Sequence, residues 1–378
     1  FVIFDQKYMK IALDLAKKGI PLSSPNPSVG CVIVECDKFN KKDQIVGYGF
    51  TQKGGRPHAE SEAINRVSFK KNKKYICYST LEPCSHVGRD ESCATKISKT
   101  PISVVVFSLG DPDLRMKDNG MKKFVENKIK VRKGMLKKEV MEIYKGYFLN
   151  RLKNRPHVTL KFASSIDGKI AYFDDLNKWI SNSLSRKIVH YLRSMNDGIL
   201  VGSKTAKIDN PDLTCRLRGL EKTSPTRIII NRNFDLSKNI KILSPSKVKT
   251  IIFSLENKKN KSFVQKENHV EVIYLKSKNF NLKNILKRVS SFGISNLLVE
   301  GGAQTFGFFL QSKFVDKIMI FRSNFFIGDN GLSAVKFSKN YKKDEFSLKD
   351  VQRLRDNALE IYESKKTLDF FTKQMDIY

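Results

Sequence analysis

Six cysteines in 378 residues are too few for a disulfide framework. Four of them lie in or beside apolar, β-like runs, the setting of reduced and buried thiols. Long apolar runs are also missing. The longest stretch of low charge, residues 289–312, still holds Glu300, and its Ser, Asn and Gln with the paired Gly301 and Gly302 spell strand, turn and helix. No membrane span is expected. The first residues carry Asp5, Lys7 and Lys10 and no small-residue cleavage site, so no signal peptide is expected either. A soluble, cytoplasmic protein is the default. Acidic residues are in short supply: 38 Asp and Glu face 70 Lys and Arg, a net charge of +32. That excess would suit a polyanion such as nucleic acid. The lysines recur along the whole chain and form no tail or stripe, so compositional drift over a large surface is the simpler reading. What is present is ordinary for a globular protein. With 40% hydrophobic and 29% charged residues, wholesale disorder is excluded. The length suits about two to three domains.

Residues 1–147 alternate helices with short apolar strands, the pattern of a layered α/β sheet. Met9, Ala12, Leu13 and Ala16 predict a helix over 8–18 that stops at Gly19 and Pro21. Strands are predicted at 29–35, 44–51, 75–81, 102–109 and 130–134. Helices are predicted at 58–67, opened by Pro57, and at 91–98 and 117–127. The charged segment 148–155 reads as a linker, and 156–378 as a second domain. There, strands are predicted at 158–164, 198–201, 226–230, 250–253, 270–274, 296–300 and 317–322. Helices are predicted at 181–194, 282–291 and 305–313, and surface loops at 234–249 and 257–268. No internal repeat is present.

The first block carries a metal pattern. His58-Ala59-Glu60, Pro83-Cys84 and Cys93 offer one imidazole and two thiolates, three ligands that leave the fourth zinc position for water. Zinc lowers the pKa of that water from 15.7 to about 7. Glu60, two residues past His58, is then the proton shuttle between water and leaving ammonia and not a ligand. Helix starts beside these residues favour the thiolate. The general deaminase signature has two residues between its cysteines; here eight intervene, Ser85 to Ser92. His86 is a rival ligand by type, but with Arg89 it is better placed facing the pocket.

Three segments then resemble one family. Pro25-Asn26-Pro27 with Val29-Gly30-Cys31-Val32, Pro57-His58-Ala59-Glu60, and Thr80-Leu81-Glu82-Pro83-Cys84-Ser85-His86 running on through Gly88-Arg89 to Cys93 are similar to the deaminase half of the bifunctional riboflavin-biosynthesis deaminase–reductases. In that family the long loop between the cysteines is the rule. The resemblance implies a cytidine-deaminase-like three-layer domain acting on a phosphorylated ribosylaminopyrimidine, with Asn26, His86 and Arg89 touching substrate. One departure is Asp90-Glu91-Ser92 before the last cysteine, where the family has Thr-Pro-Pro.

The second block resembles the same family's C-terminal half. The segments are Leu160 to Lys169, Trp179-Ile180-Ser181, Gly202-Ser203 with Thr205, Asp209 to Arg216, and Val299-Glu300-Gly301-Gly302. The resemblance implies a dihydrofolate-reductase-like domain that uses NADPH to reduce a ribosyl chain to ribityl, and an assembly of several copies. It places Ala163, Trp179, Thr205, Asp209 and the turn from Gly302 against the cofactor. Asn177, Arg193, Leu213, Arg216 and Glu300 are placed against substrate; Asn177 stands where the family has Ser. The residues agree with this. A strand running into Gly301-Gly302 and a helix with Thr305 near its start make a backbone cradle for a phosphate. No Gly-x-Gly-x-x-Gly with a later acidic residue is present, so a Rossmann domain is disfavoured. Arg232, just past a strand, suits a 2′-phosphate. Arg193 and Arg216 suit a ribose phosphate, which a guanidinium grips with two parallel bonds. Lys161 and Glu300 are the leading candidates for the proton source, with Asp209 third.

Two other classes remain open to test. A nucleic-acid deaminase of the tRNA-editing type would share the zinc residues and explain the charge, but not the second domain. A non-catalytic RNA-binding protein with a structural zinc would have no use for Glu60.

Overall fold

In the computed structural model, residues 2–36, 43–86, 90–116, 119–173, 179–237, 239–256, 269–337 and 345–378 are described, residues 2–4 by backbone alone. The chain forms two compact units, Phe1–Lys153 with Phe370–Tyr378, and Asn154–Asp369. Among the described residues, no helix is long and apolar enough to cross a membrane.

The first unit runs α1 (Val2–Gly19), β1 (Gly30–Cys36), β2 (Gln44–Phe50), α2 (Ala59–Ile64), β3 (Lys74–Leu81), α3 (Cys93–Ser98), β4 (Ile102–Leu109), α4 (Asn119–Glu126), β5 (Lys130–Lys133) and α5 (Lys137–Lys153). The sheet order is β2-β1-β3-β4-β5. Alternate strand residues face opposite ways, which makes three layers. Val32, Val34, Tyr78 and Val106 meet Met9, Ala12 and Leu15 of α1. Cys31, Ile33, Cys77 and Val105 cluster with Ala59 and Ala63 of α2 and Ala94 and Ile97 of α3.

The segment expected to be a linker is in fact the end of α5. Val140, Met141, Tyr144, Phe148 and Leu149 are buried at helical spacing, and Arg151 and Lys153 in the last turn present their charges to water.

The second unit runs β6 (His157–Ser164), β7 (Lys169–Tyr172), α6 (Ser183–Ser194), β8 (Gly198–Gly202), α7 (Ser203–Ile208), β9 (Thr226–Ile230), β10 (Thr250–Leu255), β11 (Val270–Leu275), α8 (Leu282–Ser291), β12 (Asn296–Val299), α9 (Ala303–Gln311), β13 (Lys317–Arg322), β14 (Gly331–Ser333), β15 (Phe346–Leu354) and β16 (Asn357–Ser364). Its large sheet has the order β11-β10-β9-β8-β12-β6-β13-β16-β15, and β7 pairs with β14 in a separate ribbon. The strands from β11 to β13 are parallel, and the β15–β16 hairpin is added antiparallel. Parallel strands covered on both faces need apolar residues throughout. Accordingly Leu200, Ile228, Phe253 and Val299 pack in one cluster with Leu286 and Phe306, and Ile199, Ile229, Ile252 and Leu298 pack in another with Ala206 and Ile242. The helix α10 (Lys365–Ile377) ends the chain, and its residues from Phe370 belong to the first unit.

Candidate active sites

The first centre forms where β3 ends. His58 is the cap residue before α2, Cys84 lies just past β3, and Cys93 opens α3, whose start is fixed by the Ser92 hydroxyl accepting from Thr95 N. His58 Nδ1 stands 3.4 Å from Cys84 Sγ and 3.3 Å from Cys93 Sγ. All three ligand atoms fall within 4.8 Å of one another, the one such group among the described residues. Tetrahedral zinc with usual bond lengths sets nitrogen and sulfur about 3.6 Å apart. The donor set fits that ion. The Cys93 thiol and then the His58 ring draw Cys84 down to about 4 against its burial, while Cys84 and burial hold Cys93 up. A bound cation favours the thiolate form of both sulfurs.

Glu60, in the first turn of α2, is only 3% exposed. Burial pushes its carboxyl up, opposed by the His58 ring. Ser79 Oγ donates to Glu60 Oε1 at 2.9 Å. Strand alternation, which turns Ser79 to the same side as Cys77, is the one local signal that pointed to this contact. Arg56, His86, Asp90, Glu91 and Lys96 line the cleft with the three ligands. Arg56 pairs with Asp90 at 2.7 Å, and Lys96 donates to Ser61 Oγ at 3.0 Å. His86 Nδ1 is buried without a partner among the described residues. The Asn26 amide donates to the Gly55 carbonyl at 3.3 Å and so ties down the turn that leads to Arg56. Arg89 lies outside the described residues.

The second centre gathers at the carboxyl ends of neighbouring parallel strands, where ligands of open α/β sheets sit. Glu300 follows β12 and is bound on two sides. Arg193, in the last turn of α6, donates Nε to Oε1 and Nη2 to Oε2, both at 2.9 Å, and Lys161 Nζ of β6 stands 3.6 Å from Oε2. Burial alone would raise the Glu300 carboxyl, but Lys161 and Arg193 hold it at about 2. Burial depresses the Lys161 ammonium, with Glu300 working against that. Arg193, expected to grip a phosphate, faces protein groups here. Its fork is spent on Glu300, and Nη1 donates to the Thr214 carbonyl at 3.1 Å. His190, absent from the sequence reading, lies beside this group and accepts from Arg216 N at 3.2 Å.

The other predicted residues fall into four settings, with one more outside the described residues. Thr205 Oγ1 accepts from Gly302 N at 3.1 Å, so the starts of α7 and α9 are joined. A Cβ on Gly202 would meet Thr305 Oγ1 at 2.5 Å, and one on Gly301 would meet Thr305 Cβ at 2.5 Å; only glycines leave this turn open. Ala163 is half-buried on β6 beside the cluster of Val189, Met319 and Phe321. Four residues are exposed: Trp179, under the Arg186 guanidinium; Asp209, at the end of α7; Arg232, over the Phe280 ring at 5.4 Å; and Arg216, 3.4 Å from Asp212. Leu213 is 2% exposed in the core with Ile199 and Val201, so a contact with a ligand falls to its backbone. Asn177 lies outside the described residues.

These centres match known proteins in the same order along the chain. Residues 3–109 match the cytidine and deoxycytidylate deaminase zinc-binding region, and 156–358 match the RibD C-terminal domain. The riboflavin biosynthesis protein RibD of Aquifex aeolicus is 38% identical over 346 residues, 90% of this chain and 94% of that protein. The Escherichia coli protein of that name is 28% identical over 93% of this chain and 96% of its own length. Acinetobacter baumannii RibD superposes with a TM-score of 0.84 at 28% identity, covering 97% of this chain and 100% of that one. A diaminohydroxyphosphoribosylaminopyrimidine deaminase/5-amino-6-(5-phosphoribosylamino)uracil reductase from Thermotoga maritima gives 0.82 at 32% identity, covering 96% and 99%. Two domain matches and near-complete coverage leave a nucleic-acid deaminase unfavoured, and the chain belongs to the RibD family of bifunctional riboflavin-biosynthesis proteins, a zinc deaminase joined to a reductase.

Proposed function

We propose that the first centre deaminates 2,5-diamino-6-ribosylamino-4(3H)-pyrimidinone 5′-phosphate and that the second reduces the ribosyl chain of the product to ribityl with NADPH. The observation that carries the reading is the meeting of His58, Cys84 and Cys93 beside a buried Glu60, in a chain whose second unit holds Lys161 against Glu300.

Zinc, when bound by the three ligands, supplies Lewis acidity toward water. Glu60 takes the proton of the attacking water and passes it to the exocyclic amine that leaves as ammonia, a role suited to a carboxyl raised by burial. Arg56, His86 and Lys96 offer polar groups to the substrate at the cleft wall.

In the second centre the open turn and Arg232 would hold NADPH, which when bound would supply the hydride that, with one proton to nitrogen, reduces the C1′ imine of the ring-opened ribosylamine. Lys161 gives the balancing proton, and Glu300 keeps that ammonium in place. The open turn at Gly202, Gly301 and Gly302, with α9 starting there, suits a cofactor phosphate. Exposed Arg232 and Arg216 suit the 2′-phosphate and the substrate phosphate. Arg193 orients Glu300.

The test is to give the purified, zinc-loaded protein this pyrimidine with and without NADPH, following ammonia and NADPH absorbance. Ammonia is expected in both cases, with NADPH consumed only after deamination. No ammonia from this pyrimidine sinks the proposal. Tight, salt-resistant binding of a particular tRNA would replace it with the nucleic-acid reading.

A further inference from the structure

Neither family match reaches the last twenty residues of the chain, 359–378. Yet Phe370–Tyr378 is built into the first unit. Phe371 is 2% exposed within the same core cluster as Phe107, Leu109, Tyr144 and Phe148. The Tyr378 ring meets Phe148 edge to face at 5.6 Å. Lys145 and Lys153 of α5 lay their ammonium groups 5.8 Å and 5.3 Å from the Phe371 and Phe370 rings. Lys137 Nζ donates to the Met375 carbonyl.

The segment ends at a mechanically sensitive place. Gly110 N, directly after β4, donates to the Tyr378 carbonyl at 3.1 Å. Its neighbour Leu109 accepts from Glu82 N at 2.9 Å, and Glu82 stands two residues before the ligand Cys84. The Glu82 carboxylate is buried; Oε1 accepts from Met121 N at 3.3 Å, and Oε2 lies beside Gly110 on the side where Tyr378 packs. A short run of hydrogen-bonded backbone thus connects Tyr378 through Gly110, Leu109 and Glu82 to the zinc ligand.

We propose that Met375–Tyr378, the end of this segment, is a positioning element of the deaminase centre, bracing the Glu82–Cys84 loop from behind. Residues behind a metal ligand commonly set its orientation and the metal's affinity. The activity arm of the test rests on the deaminase reading above; the metal arm does not.

Two variants of the full chain serve: one ending at Gln374, which removes the Gly110 bond and leaves Phe371 in the core, and Phe371→Leu, which keeps an apolar side chain there. Both are compared with the intact chain at a temperature where circular dichroism shows each fully folded. For the shortened chain, zinc loss to a chelator is expected about three- to tenfold faster. Its kcat for ammonia release should drop by a similar factor, with KM unchanged and with NADPH oxidation unchanged when the deaminated pyrimidine is supplied directly. Phe371→Leu, which keeps the Tyr378 contacts, should behave as the intact chain in both. Unchanged zinc loss in the folded, shortened chain, even with a lower melting temperature, overturns the proposal and leaves the segment as packing alone. If the intact chain releases no ammonia from the pyrimidine, the activity reading fails and the zinc-loss comparison still decides this one.

Discussion

Glu60 is 3% exposed and the Glu300 side chain 9%, so water leaves both carboxylates to about the same extent. Their carboxyl pKa values nevertheless move in opposite directions. Burial pushes Glu60 up, because its hydrogen-bond partner is the neutral Ser79 hydroxyl and the His58 ring offsets only part of the cost. Glu300 is held at about 2 because Lys161 and Arg193 outweigh the same cost. The lesson is that burial sets the size of the penalty and neighbouring charge sets its sign. One carboxyl is suited to carrying a proton; the other is a fixed anion that holds cations in place.

The sharpest way to break the comparison is to remove each carboxylate. Glu60→Gln keeps shape and burial but cannot carry a proton, so ammonia release should fall by about 10²–10⁴-fold with zinc content and melting temperature nearly unchanged. Retained deamination in that variant would remove Glu60 from the chemistry. Glu300→Ala should behave differently. It strands two buried cations, and loss of one partner of such a group costs about 3–5 kcal/mol. Calorimetry should show the second unit melting earlier, NADPH oxidation should stop, and deamination should persist. Loss of both activities at a temperature where the first unit is folded would show the two centres to be coupled.

pH separates the units more gently. Asp111, in the first unit, is raised to about 6 chiefly by burial, with Asp113 and Tyr147 donating to its Oδ1. Its folded value lies above the unfolded one, so its contribution is complete below about pH 4 and is lost as pH rises through 6. Glu300 has the opposite sign: its contribution is present above about pH 4 and is lost as pH falls toward 2. Asp111→Asn should therefore flatten the first unit's decline between pH 4 and 6, worth about 3 kcal/mol at most, and leave the second unit's acid limb alone. Parallel pH profiles in wild type and variant would remove Asp111 as the cause. The smallest effect belongs to Cys36, read against a ligand cysteine. Cys84→Ser should lose zinc, whereas Cys36→Ser, at a thiol raised to about 11 by burial and outside the ligand group, should leave bound metal as in the wild type. Metal analysis of the two variants checks the contrast.

Much of the fold was legible because its strands are short apolar runs and its helices carry one apolar face. The β1, β3, β4, β6, β9 and β13 segments lie within a residue or so of where composition puts them. The β15–β16 hairpin escaped for a physical reason. β15 is an edge strand with Leu348 to Arg353 exposed, and its turn uses Arg355 at φ 63 in place of the glycine or asparagine that marks such turns. Helix α5 was not expected at all, because charged residues on its exposed side and in its last turn interrupt the apolar pattern.

The centres divide in the same way. Residue types and their order along the chain pointed to the zinc triad, because two cysteines and a His-x-Glu pair in that order serve few other purposes, whereas the Gly-Gly turn carried little by itself. Only the tertiary structure decided what each charged group faces. That Arg193 points at Glu300 and not at open space, that Ser79 holds Glu60, and that Phe371 completes a core built more than two hundred residues earlier in the chain are all contacts between distant segments. Local sequence fixes periodicity and chemistry. A side chain's partner, and with it the sign of a buried charge, is set by which strands and helices packing brings together.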